Sequence, residues 1–203
     1  MLFILCGIRE ITIVCREEIK ALVKFQVGNG SKWGLSIAYC DDVSEIEMGS
    51  TMVIWGTPFL FGINLTRYFQ RAISKKNKNV IMTIPYNLLN ERIKVSIDEK
   101  DCIQKVKKGG DGDDIVPIMF LDKAKAVDSN LHAFLEKCLA ANNLYSQPFG
   151  QGMVYKDINN IEDSLDVANF ISFYEKSSGK KVYRIEEVAW RRGLITKKEY
   201  QNL

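Results

Sequence analysis

Two short stretches of the chain combine residue types that could hold an ion or a phosphate. Asp111-Gly112-Asp113-Asp114 offers carboxylates, but it lacks the D-x-[DN]-x-[DN]-G spacing and the later Glu of a calcium loop. It therefore predicts a solvated turn. Gly28-Asn29-Gly30 fits neither GxxxxGK[ST] nor a GxGxxG that enters a helix, so it predicts a tight turn and not a phosphate cradle.

Histidine and cysteine chemistry has few candidates. His132 is the single histidine, and no motif pairs it with a Ser or Cys nucleophile, so a catalytic triad is not supported and a surface or core position is favoured. The five cysteines are scattered without a CxxC pair, which argues against a zinc site and against a disulfide framework. A carboxylate-bound metal is the remaining metal candidate, and the cysteine pattern favours a reducing cytoplasm.

Composition excludes other classes of protein. The 203 residues are 46% hydrophobic and 26% charged, as in a globular domain with a sizeable core. A formal net charge of +3 without a basic run does not indicate a nucleic-acid partner. The longest apolar stretch, residues 1–8, is far shorter than the ~20 residues of a membrane span, and it lacks the basic start of a signal peptide. We expect a cytoplasmic protein without a membrane partner.

Hydrophobic periodicity predicts strands and helices that alternate, so the fold class is α/β. Apolar spacing indicates helices at 17–25, 65–73, 131–141 and 164–175, and strands at 11–14, 35–39, 52–55, 80–84 and 93–97. Strand 93–97 alternates with period two, as in a half-exposed strand. Segments 102–106 and 115–121 are predicted to form a hairpin around the Asp-rich turn, and two short helices follow Gly179.

Four sequence blocks, in order along nearly the whole chain, resemble the glucose-1-phosphate thymidylyltransferases. They are GIREI at 7–11, VGNGSKWGL at 27–35, SLDVANFI at 164–171 and EEVAWRRGLI at 186–195. The resemblance implies an incomplete Rossmann-like nucleotide-diphospho-sugar transferase fold, with a mixed, mostly parallel sheet and C-terminal helices. It also implies a core at residues 1–178 that lacks the N-terminal glycine-loop strand, and a helical appendage at 179–203 packed on that core.

The reaction implied by the resemblance is attack by a sugar phosphate on the α-phosphorus of dTTP, with Mg²⁺ between two aspartates. In the family, a GGxGTRLxP loop would precede the position of Met1, and the sequence does not contain it. The first metal aspartate is replaced by Thr57, whereas Asp157 matches the second. Lys107 is the candidate catalytic lysine, although the family's acidic residues beside it are gone. Mg²⁺ is expected only if the chain is active.

The resemblance also maps a regulatory nucleotide-binding site onto five residues: Gly62, Lys181, Val182, Val188 and Arg191. Tyr183 departs from the small residue that the family has after Lys-Val. The alternative is that Trp190 and its neighbours only hold the terminal helices together.

The sequence thus predicts a glucose-1-phosphate thymidylyltransferase homologue of dTDP-sugar and surface-polysaccharide biosynthesis. It is expected to be catalytically inactive and to act as an oligomerising or nucleotide-sugar-sensing subunit that binds dTTP or a dTDP-sugar. The alternative is an active nucleotidyltransferase, or one completed by a partner, that makes dTDP-glucose from dTTP and glucose 1-phosphate. A second copy of the chain is an expected partner, because loss of a strand would expose the edge at residues 11–14. A full-length nucleotidyltransferase paralogue is the other expected partner.

Overall fold

A computed structural model describes residues 2–46, 49–85, 92–122, 127–182 and 184–203. The chain divides into two compact units. Unit 1 contains residues 1–46 and 171–203, and unit 2 contains residues 47–170. This division differs from the predicted boundary at residue 178, because residues 179–203 group with the beginning of the chain. No helix in the described ranges is long and apolar enough to cross a membrane.

Unit 1 is built around two parallel strands. Its elements are α1 (Leu2–Leu5), β1 (Glu10–Val14), α2 (Glu17–Val27), β2 (Ser36–Cys40), α6 (Ile185–Arg191) and α7 (Lys197–Gln201). The strand predicted at 11–14 and the helix predicted at 17–25 are confirmed. α2 connects β1 to β2, which is the crossover that parallel strands require.

The core of unit 1 joins both ends of the chain. Ile4, Leu35, Ala189 and Ile195 are buried together, with partly buried neighbours from α6 and α7 around them. Gly34 has φ 67°, and a Cβ placed there would lie 2.6 Å from the carbonyl oxygen of Leu194. Glycine is therefore needed at Gly34 both for its backbone conformation and for this close approach.

Unit 2 contains most of the strands. In chain order they are β3 (Thr51–Ile54), β4 (Pro58–Phe61), β5 (Asn79–Ile84), β6 (Ile93–Ile97), β7 (Ile103–Lys108), β8 (Asp113–Leu121), β9 (Leu144–Pro148) and β10 (Val154–Asp157). Its helices are α3 (Leu65–Ser74), α4 (Leu131–Ala140) and the first part of α5 (Ile161–Ser178), which continues into unit 1.

The large sheet of unit 2 is mixed, as expected. Its order is β7-β6-β8-β5-β9, and β3 pairs with the end of β8. β5 and β9 are parallel, whereas β8 is antiparallel to β3, β5 and β6. β4 and β10 form a separate antiparallel pair. The continuous apolar run Val80-Ile81-Met82 in β5 is fully buried, as expected for a strand covered on both faces.

The predicted hairpin between segments 102–106 and 115–121 is wrong. β7 and β8 do not pair with each other, because β6 lies between them and pairs with both. The Asp-rich turn therefore connects two strands that are not neighbours. It is also not fully solvated, since Asp114 is completely buried.

Candidate functional site

Charged and polar side chains converge where β6, β8 and β10 meet in unit 2. We call this group the polar cluster; its members are Arg92, Lys94, Asp113, Asp114, Tyr155 and Asp157. Arg92 directly precedes β6, the two adjoining aspartates begin β8, and Tyr155 and Asp157 lie in β10. Residues two apart in a strand share a face, so β10 presents its tyrosine and its carboxylate on the same side.

Asp157 is held by two donors from the chain itself. The Tyr155 hydroxyl donates a hydrogen bond to Asp157 Oδ1 at 2.5 Å, and Arg92 Nη2 lies 3.4 Å from Asp157 Oδ2. The Arg92 guanidinium also lies over the Tyr155 ring, 4.7 Å from its centre. Burial raises the pKa of Tyr155, and the hydrogen bond to the carboxylate adds to this effect. Tyr155 therefore stays protonated and remains a donor to Asp157 at neutral pH.

A buried ion pair lies in the same cluster. Lys94 Nζ contacts Asp114 Oδ1, both side chains are fully buried, and the two residues are opposite each other in the β6–β8 register. Burial, together with the nearby charge of Asp114, raises the pKa of Asp113, and the Lys94 ammonium acts in the opposite direction. The period-two pattern of β6 predicted an exposed side for Lys94. That prediction is wrong, because the carboxylate of Asp114 compensates the buried charge.

Thr57 and Asp157, the two positions that the resemblance assigns to metal aspartates, are adjacent in the structure. Pro58 pairs with Asp157 in the β4–β10 register. Thr57 Oγ1 donates a hydrogen bond to the Ile158 carbonyl at 2.5 Å, and the Ile158 N–H donates to the Thr57 carbonyl at 3.2 Å. The position of the first metal aspartate is thus occupied by the neutral hydroxyl of Thr57, which already donates to a backbone carbonyl.

The residues of this cluster do not fit a divalent cation. Both oxygens of Asp157 face donors, and a guanidinium lies where a cation would experience repulsion. Among the residues that the structure describes, no group of three or more His, Cys, Asp or Glu side chains could hold a metal ion. Within the part of the chain that the structure describes, Arg92 Nη1 is buried and has no hydrogen-bond partner, so a further donor lies beside Asp157.

Lys107, the predicted catalytic lysine, is exposed on β7 at the edge of the sheet. It lies opposite Lys94 in the β6–β7 register, and the structure places it outside the contacts that define the polar cluster. Sequence reasoning missed Arg92 and Tyr155. For Tyr155 a signal was present, since it lies two residues before Asp157 in a short strand.

The predicted regulatory residues are divided between the two units. Gly62 lies in unit 2, where a Cβ would meet the sulfur of Met153 at 2.2 Å. The other residues lie in unit 1. Glu175 joins two of them: it accepts the Lys181 ammonium at 2.6 Å and the Val182 N–H at 3.0 Å, and these contacts lower its pKa.

α6 carries the remaining two residues of that set. Val188 packs against the core of unit 1, and Arg191 forms an exposed ion pair of 2.7 Å with Glu187 one helical turn away. Tyr183 lies outside the described residues. Whether these positions bind a nucleotide stays a prediction.

Comparisons with solved structures define the class of fold. A Bacillus anthracis structure described as a glucose-1-phosphate thymidylyltransferase superimposes on this chain with a TM-score of 0.65 at 12% sequence identity. The inositol-1-phosphate CTP transferase of T. maritima superimposes with a TM-score of 0.63 at 15% identity. Each superposition covers 83% of this chain and 78% of the other protein. The fold is therefore that of the nucleotide-diphospho-sugar transferases, which confirms the predicted fold class.

Comparison with curated protein sequences shows which proteins of this fold the chain resembles in sequence. The glucose-1-phosphate thymidylyltransferase of Xanthomonas campestris is 23% identical over 98% of this chain and 77% of its own length, and that of Neisseria meningitidis is 22% identical over 98% and 79%. No family model matches. The predicted resemblance to the glucose-1-phosphate thymidylyltransferases is confirmed, in a chain that is shorter than these relatives.

Proposed function

We propose that this chain binds a thymidine nucleotide or a dTDP-sugar without transferring a nucleotidyl group. In this proposal it is a sensing and self-associating subunit of dTDP-sugar and surface-polysaccharide biosynthesis in the cytoplasm. A homo-oligomer or a full-length nucleotidyltransferase paralogue would be its partner. The similarity to glucose-1-phosphate thymidylyltransferases supports the choice of ligand class.

The observation that carries the loss of transfer is the state of Asp157. Nucleotidyl transfer needs charge neutralisation at the reacting phosphates, which a metal held by carboxylates supplies. Here the Tyr155 hydroxyl donates to one oxygen of Asp157 and Arg92 forms an ion pair with the other, and Thr57 at the adjacent position donates to the backbone. Binding Mg²⁺ at Asp157 would require the protein to break an ion pair and a hydrogen bond and to bring a guanidinium close to the metal.

Ligand binding is supported by the basic residues of unit 1. Lys181 and Arg191 each form an exposed ion pair with a glutamate of the chain itself. Exposed pairs of this kind contribute at most about 1 kcal/mol, so an anionic ligand can replace the glutamate at small cost. A phosphate offers more acceptor oxygens and more charge to both side chains than a single carboxylate does.

Calorimetry with dTTP, dTDP-glucose and dTDP-rhamnose, with and without Mg²⁺, tests this proposal. We expect binding that does not depend on Mg²⁺ and that weakens at least about tenfold, or about 1.4 kcal/mol, in Lys181→Ala and in Arg191→Ala. Lys180→Ala removes a neighbouring exposed charge, and it should bind like the wild type. Binding that requires Mg²⁺ and is unaffected by the Lys181 and Arg191 substitutions would overturn the proposal.

The alternative function, an active or partner-completed nucleotidyltransferase, is favoured by one observation: positions 57 and 157 are adjacent, as a metal pair would need. In that case Asp157 would hold Mg²⁺ and Lys107 would neutralise phosphate charge. The test is pyrophosphate release from dTTP and glucose 1-phosphate. Release that depends on Mg²⁺, that is abolished by Asp157→Ala and that is lowered by Lys107→Ala would establish this alternative.

A further inference from the structure

The parallel strand pair of unit 1 leaves one face exposed. In β1 the side chains of Glu10, Thr12 and Val14 are exposed, and those of Ile11 and Ile13 are partly buried. β2 alternates in the same way from Ser36 to Tyr39, and it ends at the buried Cys40. Parallel sheets are normally covered on both faces and contain more strands, and a two-stranded sheet is only marginally stable by itself. The pair is therefore a sheet to which a further strand could be added.

The backbone of β1 shows which side is open. The Arg9 carbonyl accepts from Ser36, and the Cys15 N–H donates to Cys40, so both bonds point toward β2. Backbone groups of alternate residues point to opposite sides of a strand. The N–H and C=O groups of Glu10, Thr12 and Val14 therefore point away from β2. Within the described ranges, β2 is the strand paired with β1.

This open edge lacks the features that normally prevent strands from adding. Residues 10–14 contain no proline, no lysine and no bulge, and the register with β2 is continuous. Protected edges carry such residues or are covered by another element. A continuous stretch of β-branched residues whose backbone groups point outward is instead the kind of edge that adds a strand.

We propose that β1 pairs antiparallel with β1 of a second copy of this chain, about a two-fold axis at Thr12. In this register Thr12 lies opposite Thr12 of the second copy, and Glu10 lies opposite Val14, so all three outward residues meet as hydrogen-bonded pairs. The two Glu10 side chains are four residues apart along the strands, roughly 14 Å, which is beyond the screening length at physiological salt.

Charge and the length of overlap together fix this register. A slip that centres the axis on Glu10 would place two carboxylates directly opposite each other, and a slip to Val14 would shorten the overlap. The result is a four-stranded sheet that continues across both copies. This inference rests on the self-association part of the proposed function, and it is independent of ligand binding and of the polar cluster.

Sedimentation velocity over a concentration series, combined with cross-linking, tests this pairing. Opposed residues of a hydrogen-bonded pair have Cα atoms about 5.5 Å apart, within the range that a disulfide spans. We expect Thr12→Cys to form a covalent dimer under mild oxidation to a far greater extent than the wild type with its five native cysteines. Ser36→Cys places a cysteine at an exposed position of β2 and is the matched control. It should form no more covalent dimer than the wild type.

Thr12→Pro removes the N–H that points away from β2, and it leaves the hydrogen bonds between β1 and β2 in place. We therefore expect self-association to weaken at least about tenfold, whereas the circular dichroism spectrum should be unchanged. Thr12→Val retains the N–H and should associate like the wild type. Thr12→Lys places like charges opposite each other, and it replaces the proline variant if that variant does not fold. A wild-type chain that is monomeric throughout would overturn both this interface and the self-association part of the proposed function. Self-association that is unaffected by Thr12→Pro and Thr12→Lys would overturn this interface alone.

Discussion

The fully buried pair Lys94–Asp114 should make unit 2 sensitive to the loss of either charge. Lys94→Met keeps the length of the side chain, and it removes the ammonium group that contacts the buried Asp114 carboxylate. Breaking one partner of a buried pair costs about 3–5 kcal/mol, because the remaining charge is not compensated. For a protein of this size that corresponds to a decrease in melting temperature on the order of 10 °C.

A double-mutant cycle separates the cost of an unpaired charge from the value of the pair. Replacing both residues, Lys94→Met with Asp114→Leu, removes the two charges together. We expect its free energy of unfolding to lie within about 1–2 kcal/mol of the wild type, although each single variant loses several times as much. Urea unfolding followed by tryptophan fluorescence and by circular dichroism measures all four proteins.

Two results of this cycle would refute the reasoning. If each single substitution cost less than about 1 kcal/mol, the two side chains would be exposed to water and not buried. If the costs of the single substitutions simply added in the double variant, Lys94 and Asp114 would not interact.

Three further predictions concern single residues. Gly34→Ala should destabilise the protein by at least about 2 kcal/mol more than Gly7→Ala, measured by urea unfolding, because both have positive φ but only Gly34 has Leu194 within contact distance. The raised pKa of Tyr155 predicts that Tyr155→Phe leaves the phenolate absorbance titration unchanged up to about pH 11. Burial raises the pKa of Cys6 to about 11, so at pH 8 its thiol stays protonated and should react with Ellman's reagent about a hundredfold more slowly than an exposed cysteine.

The local sequence pattern was sufficient to predict the strands and helices whose apolar residues have a strong periodicity. The β-branched run that became β1 and the continuous apolar run that became β5 lie where they were predicted, because each run determines its own backbone conformation and burial. The pairing of β7 and β8 was predicted wrongly, because it depends on whether β6 lies between them. Nothing within residues 102–121 contains that information.

The polar cluster shows the same limit. Resemblance identified Asp157 and Thr57, and the structure places them side by side. The burial of Lys94 and the engagement of Asp157 by Arg92 could not be predicted, because each depends on a residue that is distant in sequence. A charged side chain in an alternating strand is assigned to water unless its long-range partner is known.

The assembly of unit 1 from two distant parts of the sequence has a consequence for folding during translation. Its buried core combines Ile4 and Leu35 with Ala189 and Ile195, so it cannot form until residue 195 has left the ribosome. Unit 2 is continuous in sequence, and it can fold while residues 171–203 are still being made. During that interval the apolar helix α1 and the parallel strand pair do not yet pack against α6 and α7. This is the period in which proteases and chaperones have most access to the chain.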